Sequence, residues 1–337
     1  MSKQHKTSIG GQAVIEGIMM RGPEKTSLAV RLPNGSLDVE TWENPKITAW
    51  YKKTPFVRGI FNFVDTMRLG YKCLMKSADK AGFDEGEPDK IDLWLNRHFG
   101  EKATGVLTGF ASVIAVVAAV LMFLILPTFA VKGLDMLLPL GGFASLIEGL
   151  IKIAILVGYM AAVSRMKDIH RMFQYHGAEH KVISCYEHEL PLTVENARKM
   201  SRLHPRCGTS FLFLVIFISI LFFALLGYSG SWWERSLLRI ACLPVVAGLS
   251  YEILKLSAKS DNLFVRIVRY PGMLLQRLTT KEPDDSMLEV SLASFNAALT
   301  GEVPDEYQES LADNDGGHEG DNGGAEMGGQ DDSGPCD

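Results

Sequence analysis

The sequence predicts an α-helical polytopic membrane protein with four transmembrane helices, a small cytosolic β unit at the N-terminus and amphipathic helices. Segments 105–131 and 209–229 contain no charged residue, and each is long enough to cross about 30 Å of hydrocarbon. Segments 143–164 and 237–257 are also apolar, with a few charges towards their ends, and are predicted as the second and fourth spans. The 47% apolar composition of the 337 residues is consistent with this class.

Charge and cysteine usage indicate the surroundings of the soluble parts. Because the formal net charge is −5 and the acidic residues after position 312 contribute −8, the rest of the chain carries +3. A mildly basic body suits soluble parts beside an anionic inner leaflet, so membrane lipids are an expected partner. No basic tract with interleaved aromatic residues indicates nucleic acid. The five cysteines form no C-x-x-C pair, so no disulfide is expected.

Residues 1–50 are predicted to form the cytosolic β unit, which contains a hairpin. The run 9–23 is short, apolar and bracketed by glycines, which is typical of a strand between tight turns. Two further strand-like runs flank Asn34 and Gly35, and an Asn-Gly pair in that position is a strong hairpin signal. The β unit therefore precedes the membrane.

Residues 51–100 are predicted to form amphipathic or interfacial helices that lead to the first span. Between positions 55 and 81 the apolar residues follow helical spacing, and polar and charged residues occupy the opposite face. Such a helix suits the membrane interface, and it suits equally a position packed against the β unit. An acidic turn at 83–90 and a short helix at 91–99 are expected to follow.

The positive-inside rule orients the spans. The segment between the second and third spans, 165–208, holds eight Lys or Arg residues, whereas the short connections on the other side of the membrane hold one each. Segment 165–208 is therefore expected in the cytosol. Four spans then place both termini in the cytosol too.

Three charged residues within the spans have more than one interpretation. Glu148 and Lys152 are four residues apart and can pair along the second span, which lowers the cost of placing them in lipid. They form either a structural pair near a membrane end or part of a polar path through the bundle. Glu252, near the end of the fourth span, is an additional metal ligand, a contact to another helix or a solvated residue at the helix end.

The C-terminal part combines an amphipathic region with an acidic tail. Residues 258–300 are predicted to form a cytosolic amphipathic region that ends in a helix. Four apolar residues share one face of that helix, namely Leu288, Leu292, Phe295 and Leu299. Residues 301–337 are acidic and then glycine-rich, so this tail is predicted to be disordered.

The cytosolic segment 165–208 is rich in His and Cys and contains the candidate site. Five of the eight histidines lie in it. On a helix, His176 and His180 are one turn apart, a spacing that lets two imidazoles bind one cation, and Glu179 is then available as a general base. Gly177 weakens the helix prediction by about 1 kcal/mol, and ordinary polar residues on a loop or helix end are the alternative.

A second motif, H-P-R-C-G-T, stands directly before the third span and contains His204 and Cys207. Imidazole and thiolate both suit zinc. With the first two histidines, His204 would complete three nitrogen ligands and leave a position for water, which is the composition of a catalytic site. Adding Cys207 would close the shell and favour a structural site. Alternatively, His204 ends a helix over 194–203 that begins at Thr193, and Cys207 is a buried thiol.

Three motifs together resemble the YqhQ-like family of bacterial membrane proteins. They are G-G-Q-A-V-I-E-G-I-M-M-R-G-P at 10–23, Y-H-G-A-E-H-K at 175–181 and H-P-R-C-G-T-S at 204–210. The resemblance covers nearly everything except the acidic tail, and it implies a metal-dependent enzyme of the bacterial cytoplasmic membrane. The motif residues it places at the metal are His176, Glu179 and His180, with His204 and Cys207 in the second motif.

The preferred function is that of a zinc-dependent hydrolase at the cytosolic membrane face. Its substrate would be a lipid or peptide anchored in the bilayer, and Glu179 would take a proton from the attacking water. The alternative is a non-enzymatic scaffold or assembly factor, with a structural metal or none, that recruits a protein partner. A transporter ranks third because four spans show no internal repeat. Whether Glu16 and Arg21 join the site is left open.

Overall fold

The N-terminal strands form a four-stranded antiparallel sheet in the order β1-β2-β3-β4. The structure is a computed structural model that describes residues 7–45, 50, 54–82, 103–226, 232–259 and 262–302. The strands are β1 (Gly10–Val14), β2 (Gly17–Arg21), β3 (Lys25–Arg31) and β4 (Leu37–Glu43). The hairpin predicted around Asn34 and Gly35 is confirmed between β3 and β4. The run 9–23, predicted as one strand, is itself a hairpin of β1 and β2.

Helices make up most of the remaining chain. In chain order they are α1 (Val57–Lys80), α2 (Ala103–Val120), α3 (Leu126–Leu137), α4 (Ala144–Val163), α5 (Lys167–Glu187), α6 (Val194–Arg198), α7 (Gly208–Leu226), α8 (Trp232–Lys259), α9 (Leu263–Thr279) and α10 (Asp285–Thr300). One π-helical turn, Leu121–Ile125, joins α2 to α3. The acidic turn predicted at 83–90, the helix predicted at 91–99 and the tail from 303 lie outside the described residues.

The sheet lies between α1 on one face and α5 with α10 on the other. Successive residues of β2 alternate between these layers, as the strand period requires. Ile18 and Met20 pack with α5 and α10, whereas Met19 packs with Cys73 of α1. Both faces of the sheet are therefore buried.

Helix α10 is buried on almost every side. Its residues from Met287 to Ala298 are buried, apart from two that are partly buried, and the hydroxyl of Ser294 contacts the hydroxyl of Ser27 on β3 at 2.9 Å. The prediction of a single apolar face underestimates the buried surface of this helix, because α10 contacts the sheet, α5 and α6. Leu299, predicted on that face, is 43% exposed.

Three helical stretches are long and apolar enough to cross a membrane: Gly109–Leu137, Ala144–Val163 and Leu237–Leu256. The most apolar window of the first stretch has none of its residues buried against the protein. The third predicted span, 209–229, corresponds to α7, whose described apolar stretch Phe213–Leu226 is shorter than these three. Three apolar helices of this kind are compatible with association of the chain with a membrane.

A buried ionic cluster joins three of these apolar helices. Glu148 on α4 lies 3.1 Å from Lys152, as the spacing of four residues predicts. Arg239 on α8 donates to the same carboxylate at 2.6 Å and to the hydroxyl of Thr128 on α3 at 3.0 Å. Glu148 and Arg239 are both buried. The cluster therefore ties α3, α4 and α8 together.

Helix α1 connects the sheet to the end of α8. Arg58 donates to Glu252 at 2.7 Å, and Asn62 donates to the hydroxyl of Tyr251 at 3.0 Å. Glu252 is thus a helix contact. The outward face of α1 leaves seven large apolar side chains exposed, namely Phe56, Phe61, Phe63, Val64, Met67, Tyr71 and Met75. One side of α1 packs against the β unit, while the other side offers an apolar surface.

Candidate metal centre

Helix α5 carries the first motif through the unit that the sheet and α10 form. It packs against β1, β2 and α10, and all residues from 177 to 185 are buried. The backbone of Lys281 crosses the helix here, and its N–H donates to the carbonyl of Phe173 at 2.8 Å. A methyl group at Gly177 would overlap the carbonyl oxygen of Lys281. The glycine that weakens the helix prediction is therefore required by packing.

Two backbone carbonyls orient the histidines of this helix. Nδ1 of His176 lies 2.8 Å from the carbonyl oxygen of Thr279, and Nδ1 of His180 lies 2.6 Å from that of Arg202. Because a carbonyl oxygen can only accept, each Nδ1 carries the proton and each Nε2 presents a lone pair. Metal-binding histidines are commonly held in this way, with the second ring nitrogen donating to a backbone carbonyl.

The two Nε2 atoms converge on a thiol. Nε2 of His176 lies 3.1 Å from Sγ of Cys207, and the ligand atoms of His176, His180 and Cys207 all lie within 4.8 Å of one another. We call these three residues the His-Cys cluster. Ligand atoms around tetrahedral zinc are roughly 3.3–3.8 Å apart, so small shifts of these side chains would bring the three onto one ion. Within the described chain, the buried Nε2 of His180 has no hydrogen-bond partner.

Burial and the neighbouring groups set the protonation of His180. Burial lowers the pKa of His180, and the Cys207 sulfur beside it opposes part of that change. The imidazole is therefore neutral near pH 7, which is the state that binds a metal. Two imidazoles and a thiol form a donor set that suits zinc.

Glu179 lies beside the cluster on the same helix. Its Oε1 accepts a hydrogen bond of 3.1 Å from the N–H of Gly11 on β1. Its Oε2 is buried and, among the described residues, has no hydrogen-bond partner. Burial raises the pKa of Glu179, while the nearby His176, the Gly11 N–H and His204 each counteract part of this rise. The hydrogen bond from Gly11 therefore fixes the orientation of the carboxyl group, and Oε2 is available to accept a hydrogen bond or a proton.

His204 lies next to the cluster but points its ring to another group. The ring centres of His180 and His204 are 5.7 Å apart, and Nε2 of His204 lies 3.2 Å from a carboxylate oxygen of Glu187. Gln276 of α9 clamps the His204 backbone by accepting from its N–H at 2.9 Å and donating to its carbonyl at 2.8 Å. Burial lowers the pKa of His204 to about 4. Cys207, and not His204, is the third member of the cluster.

Glu187 is a site residue that sequence reasoning missed. It is buried at the end of α5 and pairs with Arg206, besides accepting from His204 and from the N–H of Thr7 at 3.1 Å. Eleven residues separate Glu187 from His176, which is close to three helical turns. This spacing places Glu187 on the helix face that carries the histidines, and it is the signal that would have identified it.

Two cavities meet at the candidate site. The larger, about 920 Å³, lies between α1, β1, α5 and α8 and reaches His176, Glu179 and Cys207. The smaller, about 370 Å³, reaches Glu179, Cys207, His180 and His204 from the other side. The metal-capable atoms therefore stand at the wall that the two cavities share.

The turn between β1 and β2 secures α5 beside the site. Glu16 has a left-handed backbone, with φ of 49°, and its carboxylate accepts from Arg171 at 2.6 Å and from the hydroxyl of Tyr175 at 3.2 Å. Arg21, at the end of β2, lines both cavities. Of the two residues left open by the sequence, Glu16 is thus a support for α5, and Arg21 lies at the candidate site.

The helix predicted over 194–203 ends early. The structure has it as α6, Val194–Arg198, with the hydroxyl of Thr193 accepting from the N–H of Asn196 at 3.3 Å, so the predicted N-cap is confirmed. Residues 199–207 then form turns, because the carbonyls of 198 and 200 accept hydrogen bonds from Lys181. These turns bring Cys207 to the histidines.

Comparisons with known proteins relate the chain to proteins without an assigned activity. Residues 54–301 match a family described as "Protein of unknown function (DUF1385)". The chain is 38% identical over 325 residues to the "Uncharacterized protein YqhQ" of Bacillus subtilis (strain 168), which covers 93% of this chain and 99% of that protein. No solved structure matches significantly. The similarity spans both motifs of the site.

Proposed function

This chain belongs to the DUF1385 family of proteins of unknown function, and within that family we propose that it is a metal-dependent hydrolase of the bacterial cytoplasmic membrane. The metal is zinc, and the substrate is a lipid or peptide anchored in the bilayer. One observation carries the proposal: His176 and His180 donate through Nδ1 to backbone carbonyls and turn Nε2 towards Cys207. Beside them lies Oε2 of Glu179, which has no hydrogen-bond partner among the described residues.

The donor set supports a site with room for chemistry. Two imidazole nitrogens and a thiolate provide three protein ligands, and the Nε2 of His204 is engaged with Glu187. Catalytic zinc sites commonly have three protein ligands and one exchangeable position, whereas structural sites have four. This count favours catalysis over a purely structural metal.

Glu179 is the proposed general base. A divalent metal held by the cluster would polarise the carbonyl or phosphoryl oxygen of a substrate. Oε2 of Glu179 would take the proton of the attacking water, while the Gly11 N–H keeps Oε1 in place. The larger cavity would admit the substrate and the smaller would admit the water.

The membrane placement proposed here has four spans and both termini in the cytosol. Helix α7 would be the third of these spans, in addition to the three longer apolar stretches, since it packs against both α4 and α8. Segment 165–208, with its eight basic residues, would then face the cytosol together with the sheet that packs on α5. The exposed apolar face of α1 would lie in the membrane interface.

Metal content tests the proposal. The full chain, purified in mild detergent without a histidine tag or chelator, should contain one zinc per chain by inductively coupled plasma mass spectrometry. His180→Ala and Cys207→Ala should each lose it, whereas His188→Ala, at an exposed position after α5, should retain it. A folded wild-type protein that takes up no zinc, manganese or iron would overturn the proposal.

A further inference from the structure

We propose that the larger cavity binds an amphiphile with an anionic headgroup, and that this headgroup is held against the His-Cys cluster. The ligand class is an anionic phospholipid or a lipid of similar charge. This inference rests on the proposed function and names the substrate class for the same site. It is carried by unpaired cations, by the apolar walls of the cavity and by the position of the cavity beside a candidate membrane span.

Two arginines line the larger cavity without a partner. Arg21 comes from the end of β2 and Arg68, which is exposed, comes from α1, and within the described part of the chain neither side chain makes a hydrogen bond or an ion pair. Several other arginines are paired with a carboxylate, such as Arg58 with Glu252 and Arg171 with Glu16. A guanidinium group matches the geometry of carboxylate and phosphate oxygens. Two guanidinium groups that line the same cavity, and that are unpaired among the described residues, therefore favour an anionic ligand.

Arg21 lies where a reacting headgroup would be. It lines both cavities, as do Glu179 and Cys207. An anion that Arg21 binds would thus be beside the wall where the metal-capable atoms stand. Arg68 lines only the larger of the two cavities, so it would bind the part of the headgroup that faces away from the cluster.

The remaining walls of the larger cavity are mostly apolar. Three elements supply them, and the side chains concerned are Phe63 and Met67 of α1, Met172 and Phe173 of α5, and Leu254 of α8. A volume of about 920 Å³ lies in the range of cavities that enclose small ligands. Free phosphate would leave these walls without a partner, and a neutral lipid would leave both arginines unpaired.

The apolar end of the cavity lies next to the membrane-facing part of the chain. Leu254 belongs to the candidate span Leu237–Leu256, two residues from its end. Helix α1 also lines the cavity, and two of its lining side chains, Phe63 and Met67, belong to its exposed apolar face. An acyl chain could therefore enter from the bilayer surface while its headgroup reaches the arginines.

Lipid binding by the full chain in detergent tests this inference. Native mass spectrometry would compare a dioleoyl phosphatidylglycerol, a dioleoylglycerol and inorganic phosphate as probes. We expect the anionic lipid to bind at least about tenfold more tightly than the neutral one, and phosphate alone to show no saturable binding. Arg21→Gln and Arg68→Gln should each weaken binding of the anionic lipid by about tenfold. Lys72→Gln, an exposed change one turn from Arg68 and away from the cavity lining, should leave it unchanged.

Each contrary result has a defined meaning. Equal binding of the two lipids, or wild-type affinity in both arginine variants, would overturn the inference. Binding of phosphate as tight as that of the lipid would make the ligand a soluble anion and overturn it as well. Zinc content measured on the same samples separates the two proposals. A protein that prefers the anionic lipid but takes up no metal would contradict the proposed hydrolase and support the lipid site. A protein that takes up metal but shows no preference for the anionic lipid would contradict the lipid site alone.

Discussion

The carbonyl oxygen of Lys281 fills the space beside Gly177 that a Cβ atom would need. Gly177→Ala should therefore lower the stability of the protein by about 1–3 kcal/mol, even though alanine is the better helix former. The thermal unfolding midpoint of the purified protein in detergent measures this change. Gly158→Ala is the matched control, because Gly158 is in helix α4 with open space around it, and it should leave the midpoint unchanged or raise it.

Glu179→Gln should separate metal binding from catalysis. Glutamine keeps the hydrogen bond from Gly11 but cannot accept a proton, so hydrolysis should fall by about 10²–10⁴-fold with zinc retained. Zinc content and turnover of a membrane-anchored substrate are measured on the same preparation, with Glu189→Gln at an exposed position as the control. Loss of zinc in Glu179→Gln would make this residue a ligand or a support. Unchanged turnover would show that Glu179 is not the general base.

Two single substitutions in the ionic cluster of the apolar helices, Glu148→Gln and Lys152→Gln, should lower the stability of the protein by different amounts. Glu148→Gln leaves the buried Arg239 and the partly buried Lys152 together without an anion, so it should destabilise the protein by about 3–5 kcal/mol. Lys152→Gln leaves the Glu148–Arg239 pair intact and should cost less. Thermal unfolding in detergent ranks the two variants, with the exposed Lys255→Gln as the reference. Equal losses would contradict this account of the cluster.

The contact between α1 and β4 should add a small pH dependence to stability. Burial acts to raise the pKa of Glu40, but hydrogen bonds and charge from Lys76 and Lys80 outweigh it, and the pKa is lowered from 4.5. A carboxyl group with a lowered folded pKa stabilises above its unfolded pKa and loses that effect as the pH falls through the folded value. Since Glu40 is about one-third exposed, the expected contribution is about 0.2–1 kcal/mol.

The measurement for this pair compares wild type with Glu40→Gln between pH 7 and pH 3.5. The difference in unfolding midpoint should be present at pH 7 and shrink as the pH approaches 3.5. Glu43→Gln, an exposed change on the same strand, should show no such trend. A difference that stays constant with pH would mean that the charge of Glu40 does not stabilise the contact.

Features set by local sequence spacing could be predicted. The hairpin at Asn34 and Gly35, the N-cap at Thr193 and the pairing of Glu148 with Lys152 each depend on residues a few positions apart. The one-turn spacing of His176 and His180 likewise placed two imidazoles on one helix face. Local geometry decides these features, so no knowledge of the tertiary fold was needed.

Features set by distant contacts could not be predicted. The direction of the His204 ring depends on Gln276, which is 72 residues away and fixes the backbone of the turn. Because that ring faces Glu187, the third position in the cluster belongs to Cys207. From the sequence alone, Gly177 only lowers the helix propensity, and its role becomes clear from the backbone of Lys281 that packs against it. Neither the contact of Gly177 with Lys281 nor that of His204 with Gln276 can be inferred from sequence spacing.

Because α10 packs against β2 and β3, the sheet near the N-terminus is fully buried only late in the synthesis of the protein. The strands of the sheet are complete once residue 43 has been made, but one face is fully covered only after α10, which begins at residue 285, has joined α5 on it. At 5–20 residues per second this delay lasts on the order of ten to fifty seconds, during which the apolar helices are also emerging. The part of the face that α10 covers would therefore be the last part of the sheet to be buried, which makes it the surface most exposed to misassembly during synthesis.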